Sequence, residues 1–227
     1  EEISLSEAKR LFPLLQIDDL TTAYLQPNDG HTNPEDTTQA LARGARSGGV
    51  TILENVKVTG IQLDHARANL IKNVRSIQTD QGEVHCEYLV NCSGMWSREL
   101  GAMLGVSFPL FAAEHMHMTT NPMEGTYKGM PYIRDMDGYI YIKEEMGGLL
   151  MGGFEPVAKP WGMEGIPENF AHTQLQEDWD QFEIFMNNAI KRVPAFKEAE
   201  INSLTTVPES FTPDTAYMLG EVPGLKN

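Results

Sequence analysis

The sequence predicts a mixed α/β (α+β) chain, with a nucleotide-type α/β layer carrying an antiparallel flap and a second, mainly antiparallel unit after it. Three observations predict this. A capped helix runs into apolar strand candidates between residues 33 and 63, and a glycine-centred hairpin follows at 74–91. Beyond residue 109, closely spaced strand candidates are followed by one strongly amphipathic helix.

Each element has a local cause. Asn33 caps a helix over 33–49, Pro34 suits its first turn, and Glu35 and Asp36 suit the positive end of its dipole. Ala40, Leu41 and Ala45 make its apolar stripe, and Gly48-Gly49 ends it. Val50 to Leu53 reads as a short buried strand. Val56 to Leu63 alternates, with a slip at Gly60. Val74 to Thr79 and Glu83 to Asn91 pair across Asp80-Gln81-Gly82, where the glycine supplies positive φ. Leu89-Val90-Asn91-Cys92 reads as the buried end of that second strand. It stops on the small residues Ser93 and Gly94, before a short helix from Trp96 to Leu104 that Gly105 stops.

In the second unit, Glu114 to Thr120, Gly138 to Lys143 and Gly148 to Phe154 read as strands, with turns at 121–125 and 135–138. The glycines of Gly147 to Gly153 are spaced wrongly for a phosphate loop and read as backbone crossing points. An irregular connection with Pro156, Pro160 and Pro167 leads to the helix. There Trp179, Phe182, Phe185, Met186, Ala189, Ile190 and Val193 keep the three-to-four spacing of a core-facing stripe, and Pro194 ends it.

The composition sets bounds. With 227 residues, 41% hydrophobic, the chain can bury a sizeable core in one or two units. It carries 17 Lys and Arg against 32 Asp and Glu, a formal charge of −15, which argues against nucleic acid and anionic membrane as partners. No apolar run approaches the ~20 residues of a membrane span. The two cysteines, Cys86 and Cys92, would lie roughly 20 Å apart on one strand, too far to bridge. They read as small buried thiols in a reducing compartment. The chain opens on Glu1-Glu2 and closes on Gly224-Leu225-Lys226-Asn227, the expectation for a piece of a longer protein.

Four places can carry chemistry. Ser93-Gly94, after a strand and before a helix, is either a tight turn or bare backbone against a phosphate or ribose. Glu114-His115-x-His117 puts two histidines on one strand face; no third neutral ligand is near, so no metal is expected. Tyr139 and Tyr141 share a strand face, and either line a pocket for a cation or cover a solvent-facing sheet. Pro208 to Asp214 is a stiff loop holding two carboxylates and two hydroxyls. There is no G-x-G-x-x-G, P-loop, G-x-S-x-G or C-x-x-C, and no residue stands out as a general base. That pattern favours a cofactor for the difficult step.

Taken together, the runs YLVNCSGMWSRELG, AAEHMHMTT, IRDMDGYIYIKEEMGGLLMGGFEPVAKPWG, LQEDWDQFE, PESFTPD and LGEVPG resemble the FAD-dependent dimethylglycine and sarcosine dehydrogenase group of the D-amino-acid-oxidase-like flavoproteins. The resemblance covers nearly the whole chain. It implies that residues 1–107 are part of an FAD-binding Rossmann-like domain with an interleaved substrate-domain strand. Residues 108–205 would form the substrate domain, and 206–227 would return to the FAD-binding domain. It implies FAD contacts at Val56, Ser93, Gly94, Trp96, Thr212, Pro213 and Asp214. It puts His115, His117, Tyr139 and Tyr141 on the substrate side.

The implied reaction is hydride transfer from an N-methyl amine carbon to flavin, with a small amine substrate and an electron acceptor protein. A folate-binding domain further downstream would capture the one-carbon unit. The group's N-terminal glycine motif and C-terminal flavin segment are not in this stretch, so the stretch alone is expected to hold FAD weakly. The same motifs fit the regulatory subunit of pyruvate dehydrogenase phosphatase, and also an oxygen-using flavin amine oxidase. The relatives imply the mitochondrial matrix in a eukaryote and the cytoplasm in a bacterium.

Overall fold

The computed structural model describes residues 1–65, 72–171 and 173–227. In chain order the elements are β1 (Glu2–Ile3), α1 (Leu5–Leu11), β2 (Ala23–Tyr24), α2 (Pro34–Ser47), β3 (Val58–His65), β4 (Lys72–Thr79), β5 (Gly82–His85) and α3 (Ser97–Leu104). There follow β6 (Phe111–Thr120), β7 (Ile133–Asp135), β8 (Ile140–Glu145), β9 (Gly148–Gly153), β10 (Pro160–Trp161), α4 (Trp179–Arg192), β11 (Ile201–Phe211) and β12 (Leu225–Lys226). They fall into two compact units. One comprises residues 1–31, 113–161 and 169–209; the other comprises 32–112, 162–168 and 210–227.

The first unit is an antiparallel sheet with one face covered. Its strand order is β10-β6-β9-β8-β7, and β11 also pairs with β6. Alternation along each strand divides the residues between two faces. Met116, Met118, Ile140, Ile142, Leu149, Met151 and Leu204 point to the core side, where Phe182, Phe185, Ala189 and Val193 of α4 and Phe12 and Leu15 near α1 meet them. The predicted apolar stripe of α4 is therefore the core stripe. Asp178 caps α4 through the Gln181 amide (3.0 Å), and Pro194 opens a short 3₁₀ turn where the helix ends. Arg192, buried in the last turn, donates to Asp135 (2.6 Å), Asp19 (2.8 Å) and the Gln16 carbonyl (2.8 Å).

The glycine-rich strand is the crossing point its spacing suggested. A Cβ at Gly148 would lie 2.5 Å from the Thr120 carbonyl oxygen; one at Gly153 would enter the Phe185 ring and the Tyr139 carbonyl. Only a missing side chain lets these backbones and that ring approach.

The second unit holds a meander of β3, β4 and β5, with β12 alongside β4 in parallel. The hairpin turns at Gly82, with φ 133°. The slip at Gly60 is a register shift between Val58 and Gly60, a β-bulge. Helix α2 has the predicted Asn33 cap, Oδ1 accepting from the Asp36 amide at 3.1 Å.

Several expectations fail in this unit. Residues 50–53 form no strand, and Val50, Ile52 and Leu53 are exposed. The second hairpin strand stops at His85 rather than Asn91, and Val90 is 77% exposed. Leu41, in the α2 stripe, is 71% exposed. The reason is common to all three. Apolar runs become buried strands or core faces only when a neighbour pairs or packs along them, and here the contacts are isolated, such as the Leu89 amide on the Asn227 carbonyl (2.8 Å) and the Val50 amide on the Ala45 carbonyl (3.0 Å). The thiols are likewise free but not buried: Cys92 is exposed and Cys86 half-buried. No helix among the described residues is long and apolar enough to cross a membrane.

Candidate functional site

On the first unit's sheet, the face opposite α4 carries a cluster of aromatic and titratable side chains. The register builds it. His117 of β6 stands opposite Gly152 of β9, and Gly152 stands opposite Tyr141 of β8. The Tyr141 ring leans into the space a side chain at Gly152 would occupy: an added Cβ would meet the hydroxyl, and the ring carbon bearing it at 2.6 Å. From there the Tyr141 hydroxyl reaches His115 Nε2 at 3.1 Å. Phe154 stacks on His115 with ring centroids 4.7 Å apart, and Tyr132 stacks on Tyr141 at 5.8 Å. Glu209 of β11 approaches His115 Nδ1 to 3.7 Å.

Burial sets the protonation states. It pushes Tyr141 well above the ordinary tyrosine range, so the phenol keeps its proton; the neighbouring Tyr132 and Glu209 push the same way. It lowers His115 below the ordinary histidine value, against the opposing carboxylate of Glu155. It lowers His117 too, where His115 and Lys143 add to the effect. Glu209, whose side chain is 47% exposed, is raised by the partial burial of its inner part. At neutral pH Tyr141 therefore keeps its proton and His115 is uncharged, and the His115 tautomer sets which of the two donates.

Of the predicted amine-side residues, His115, His117 and Tyr141 share this face. Tyr139 departs from the strand rule. Its φ of 59° is left-handed, it precedes β8, and its carbonyl accepts from the Phe154 amide at 2.9 Å, so strict alternation does not carry through it to Tyr141. Glu114 takes the other face of β6, beside Lys159 at 3.3 Å, and does not join the two histidines. No group of three or more His, Cys, Asp or Glu among the described residues could hold a metal. Sequence reasoning missed Tyr132, Phe154, Glu209 and the Tyr141–His115 hydrogen bond. The i, i+2 spacing of the histidines, and a glycine two strands away, were the available signals.

The residues predicted to meet FAD all lie in the second unit. Asn91 Oδ1 gathers the Ser93 amide (3.1 Å), the Ser93 hydroxyl (2.5 Å) and the Ser97 hydroxyl (3.3 Å). This side-chain turn bends the chain into the Gly94–Trp96 3₁₀ turn that leads into α3. Gly94 has φ 53° and nothing within 4 Å of where a Cβ would sit. The question raised by so little side chain there thus has a double answer: the backbone is left-handed, and it is open. Val56 is half-buried before β3 and Trp96 is 37% exposed. Thr212 to Ala216 is a second side-chain turn: Thr212 Oγ1 donates to the Ala216 carbonyl at 2.8 Å, and Asp214 Oδ1 accepts from the Ala216 amide at 3.2 Å. Pro213 fixes the backbone between them. An open backbone at a helix entrance fits a nucleotide cofactor.

The family description "FAD dependent oxidoreductase" (DAO) matches residues 1–227 in full, and the chain belongs to that family. It is 36% identical over 224 residues to mitochondrial sarcosine dehydrogenase from Mus musculus, covering 99% of this chain and 24% of the relative. It is 39% identical over 219 residues to the formaldehyde-forming 4-methylaminobutanoate oxidase of Paenarthrobacter nicotinovorans, covering 96% and 26%. It is 38% identical over 227 residues to the mitochondrial pyruvate dehydrogenase phosphatase regulatory subunit of Mus musculus, covering 98% and 25%. The fold is similar to that of L-proline dehydrogenase from P. horikoshii, with a TM-score of 0.80 at 22% identity, over 99% of this chain and 56% of that one. The chain thus spans about a quarter of the length of these curated relatives.

Proposed function

We propose that this chain is the amine-facing and part of the cofactor-facing portion of an FAD-dependent dehydrogenase that oxidises a small N-methyl amino acid of the sarcosine or dimethylglycine type. The observation that carries this reading is the 3.1 Å contact between Tyr141 and His115 on an aromatic sheet face. Similarity to relatives whose names specify sarcosine and 4-methylaminobutanoate supports the substrate class.

Such a substrate arrives as an ammonium ion, which cannot release hydride until it loses its proton. Tyr141 has a phenolic oxygen to accept that proton while its own moves to His115 Nε2, which is uncharged and aimed at it. The amine leaves this exchange neutral and the imidazole protonated. Tyr132, Phe154 and Tyr141 bring ring faces that hold the methylated nitrogen before it deprotonates. Bound FAD would supply the two-electron acceptor for hydride from the N-methyl carbon. Gly94, Ser93 and Trp96, with Val56 and the Thr212-Pro213-Asp214 turn, are the residues assigned to hold it. His117 and Tyr139 are assigned to the substrate side. In this assignment the second unit belongs to the FAD-binding domain and the first to the substrate domain.

In this reading the iminium product would be hydrolysed or would give its one-carbon unit to folate, and an acceptor protein would take the electrons. The proposed compartment is the mitochondrial matrix in a eukaryote and the cytoplasm in a bacterium.

The test is to add sarcosine or dimethylglycine to the full-length protein without oxygen and follow the visible flavin band. The band bleaches if the reading is right, and Tyr141→Phe slows the bleaching by about 10²-fold or more without loss of flavin. A second reading rests on the 38% identity to the phosphatase regulatory subunit: a protein-binding, non-catalytic role. A flavin band that stays, or no band in folded protein, favours it. Bleaching that reverses rapidly in air favours an oxygen-using oxidase.

A further inference from the structure

Glu209 lies behind the Tyr141–His115 pair, near the stiff Pro208–Asp214 loop. It sits near the end of β11, which pairs with β6. The Thr119–Ser203 hydrogen bond (2.7 Å) and the His115–Glu209 approach run in opposite directions along the two strands, as antiparallel partners do. Ser203, Thr205, Val207 and Glu209 then share the face that carries His115 and His117. The result is a chain of three groups: Tyr141 Oη, 3.1 Å, His115 Nε2; His115 Nδ1, 3.7 Å, Glu209 Oε2.

We propose that Glu209 is the positioning residue and counter-charge of His115. It holds the imidazole proton on Nδ1, so that Nε2 stays free to accept from Tyr141, and it closes on the imidazolium once that proton arrives. The inference rests on reading Tyr141 and His115 as the amine-facing pair.

The chemistry follows from the imidazole itself. A neutral ring carries one N–H, and Tyr141 can donate only to the nitrogen without it. A carboxylate facing Nδ1 favours the tautomer with the proton there. The step is balanced: the ammonium N–H bond breaks, Tyr141 Oη gains that proton and gives its own to Nε2, and His115 ends with two N–H groups. The positive charge has moved from the substrate to His115, where burial disfavours it unless an anion is near.

The surroundings supply few alternatives. On β6 the neighbour is His117, itself held uncharged by burial; on β8 are Tyr141, which keeps its proton, and Lys143, a cation that disfavours further positive charge. Tyr132 lies against Tyr141, and Phe154 covers the His115 ring. Glu155, beyond β9, also favours the charged ring from a distance, but it is shared with Gln181, whose amide donates to it at 3.0 Å, whereas Glu209 approaches Nδ1 directly, at 3.7 Å. Glu209 faces the nitrogen opposite Tyr141. Its 3.7 Å distance is outside hydrogen-bond range, so in this geometry the carboxylate acts on Nδ1 through its charge rather than through a hydrogen bond.

The experiment measures histidine C2 hydrogen–deuterium exchange, read peptide by peptide by mass spectrometry, across the histidine titration range. It uses the full-length protein and its Glu209→Gln and Glu209→Asp variants. Glu209→Gln is expected to lower the exchange midpoint of His115 by about half a pH unit or more. The acid limb of amine-dependent flavin bleaching should move down with His115. Glu209→Asp should shift both in the same direction by less. A His115 midpoint unchanged in both variants, with flavin content normal, overturns the proposal. A midpoint that moves while bleaching keeps its pH profile also overturns it, because Glu209 would then act on a histidine that takes no proton from the reaction. Unimpaired bleaching in His115→Asn is a separate result: it sinks the Tyr141–His115 reading itself.

Discussion

Tyr141 occupies the space that a side chain at Gly152 would fill. An added Cβ there would meet the Tyr141 hydroxyl, the Tyr141 ring carbon at 2.6 Å and the Met116 carbonyl at 2.9 Å. The glycine is what lets the ring lie across β9 and deliver its hydroxyl to His115. Gly152→Ala is therefore expected to displace the ring and break the Tyr141–His115 bond. Amine-dependent flavin bleaching should fall about as far as in Tyr141→Phe, with flavin still bound. The overpacking cost should be about 1–3 kcal/mol. Kinetics beside a thermal melt check both parts; wild-type kinetics would show that the ring position is not needed.

Gly153, one residue on, gives the contrasting case. Its missing side chain faces Phe185 in the core and the Tyr139 carbonyl. Gly153→Ala should destabilise the first unit by about 2 kcal/mol or more through the displaced Phe185, which cannot yield easily in a close-packed core. A denaturant midpoint equal to wild type would contradict this packing.

Gly94→Val combines a β-branched residue with a φ of 53°. The backbone strain should cost about 1–2 kcal/mol, because left-handed φ is disfavoured for any side chain with a Cβ. The proposed cofactor role adds a second effect: the full-length variant should lose flavin on desalting. Gly94→Ala separates the two, carrying most of the strain with less bulk. Full flavin retention in both variants would remove Gly94 from the cofactor site.

Arg192 joins Asp135, Asp19 and the Gln16 carbonyl from a buried position. Arg192→Met leaves Asp135 buried without its cation, and breaking one partner of such a pair costs about 3–5 kcal/mol. Asp19 is more exposed and contributes less. Urea unfolding of the variant should show a midpoint well below wild type. The double variant Arg192→Met/Asp135→Leu should recover part of the loss.

The pH dependence of stability has a definite sign. His115 and His117 are both held below the ordinary histidine value of 6.5, first by burial. Between their folded and unfolded values the unfolded chain binds more protons, so stability is complete above about 6.5 and falls as pH drops through that window. Glu209 is raised by burial and acts oppositely, losing its contribution as pH rises from its unfolded value of 4.5 through its folded one. With two histidines against one carboxyl, acidification from neutrality should lower the melting temperature of the first unit. His115→Asn should flatten that slope, and an unchanged slope would mean that His115 is not held neutral.

The sequence by itself determined whatever depends on nearest neighbours along the chain. The Asn33 cap, the Gly82 turn, the bulge at Gly60 and the core stripe of α4 all stand where their residues put them, because capping, positive φ and period are local. The two-residue period likewise put His115 and His117 on one face. Tertiary structure alone decided which of these residues act together. Tyr141 meets His115, 26 residues away, only because β9 lies between β8 and β6 and has a glycine at the crossing. Glu209 joins them only because β11 returns to β6. The same dependence on neighbours explains the failures: Val50–Leu53 and Leu89–Asn91 have the composition of buried strands, but a strand needs a ladder of partners along its length, and each segment has only isolated backbone bonds, Val50 to Ala45 and Leu89 to Asn227.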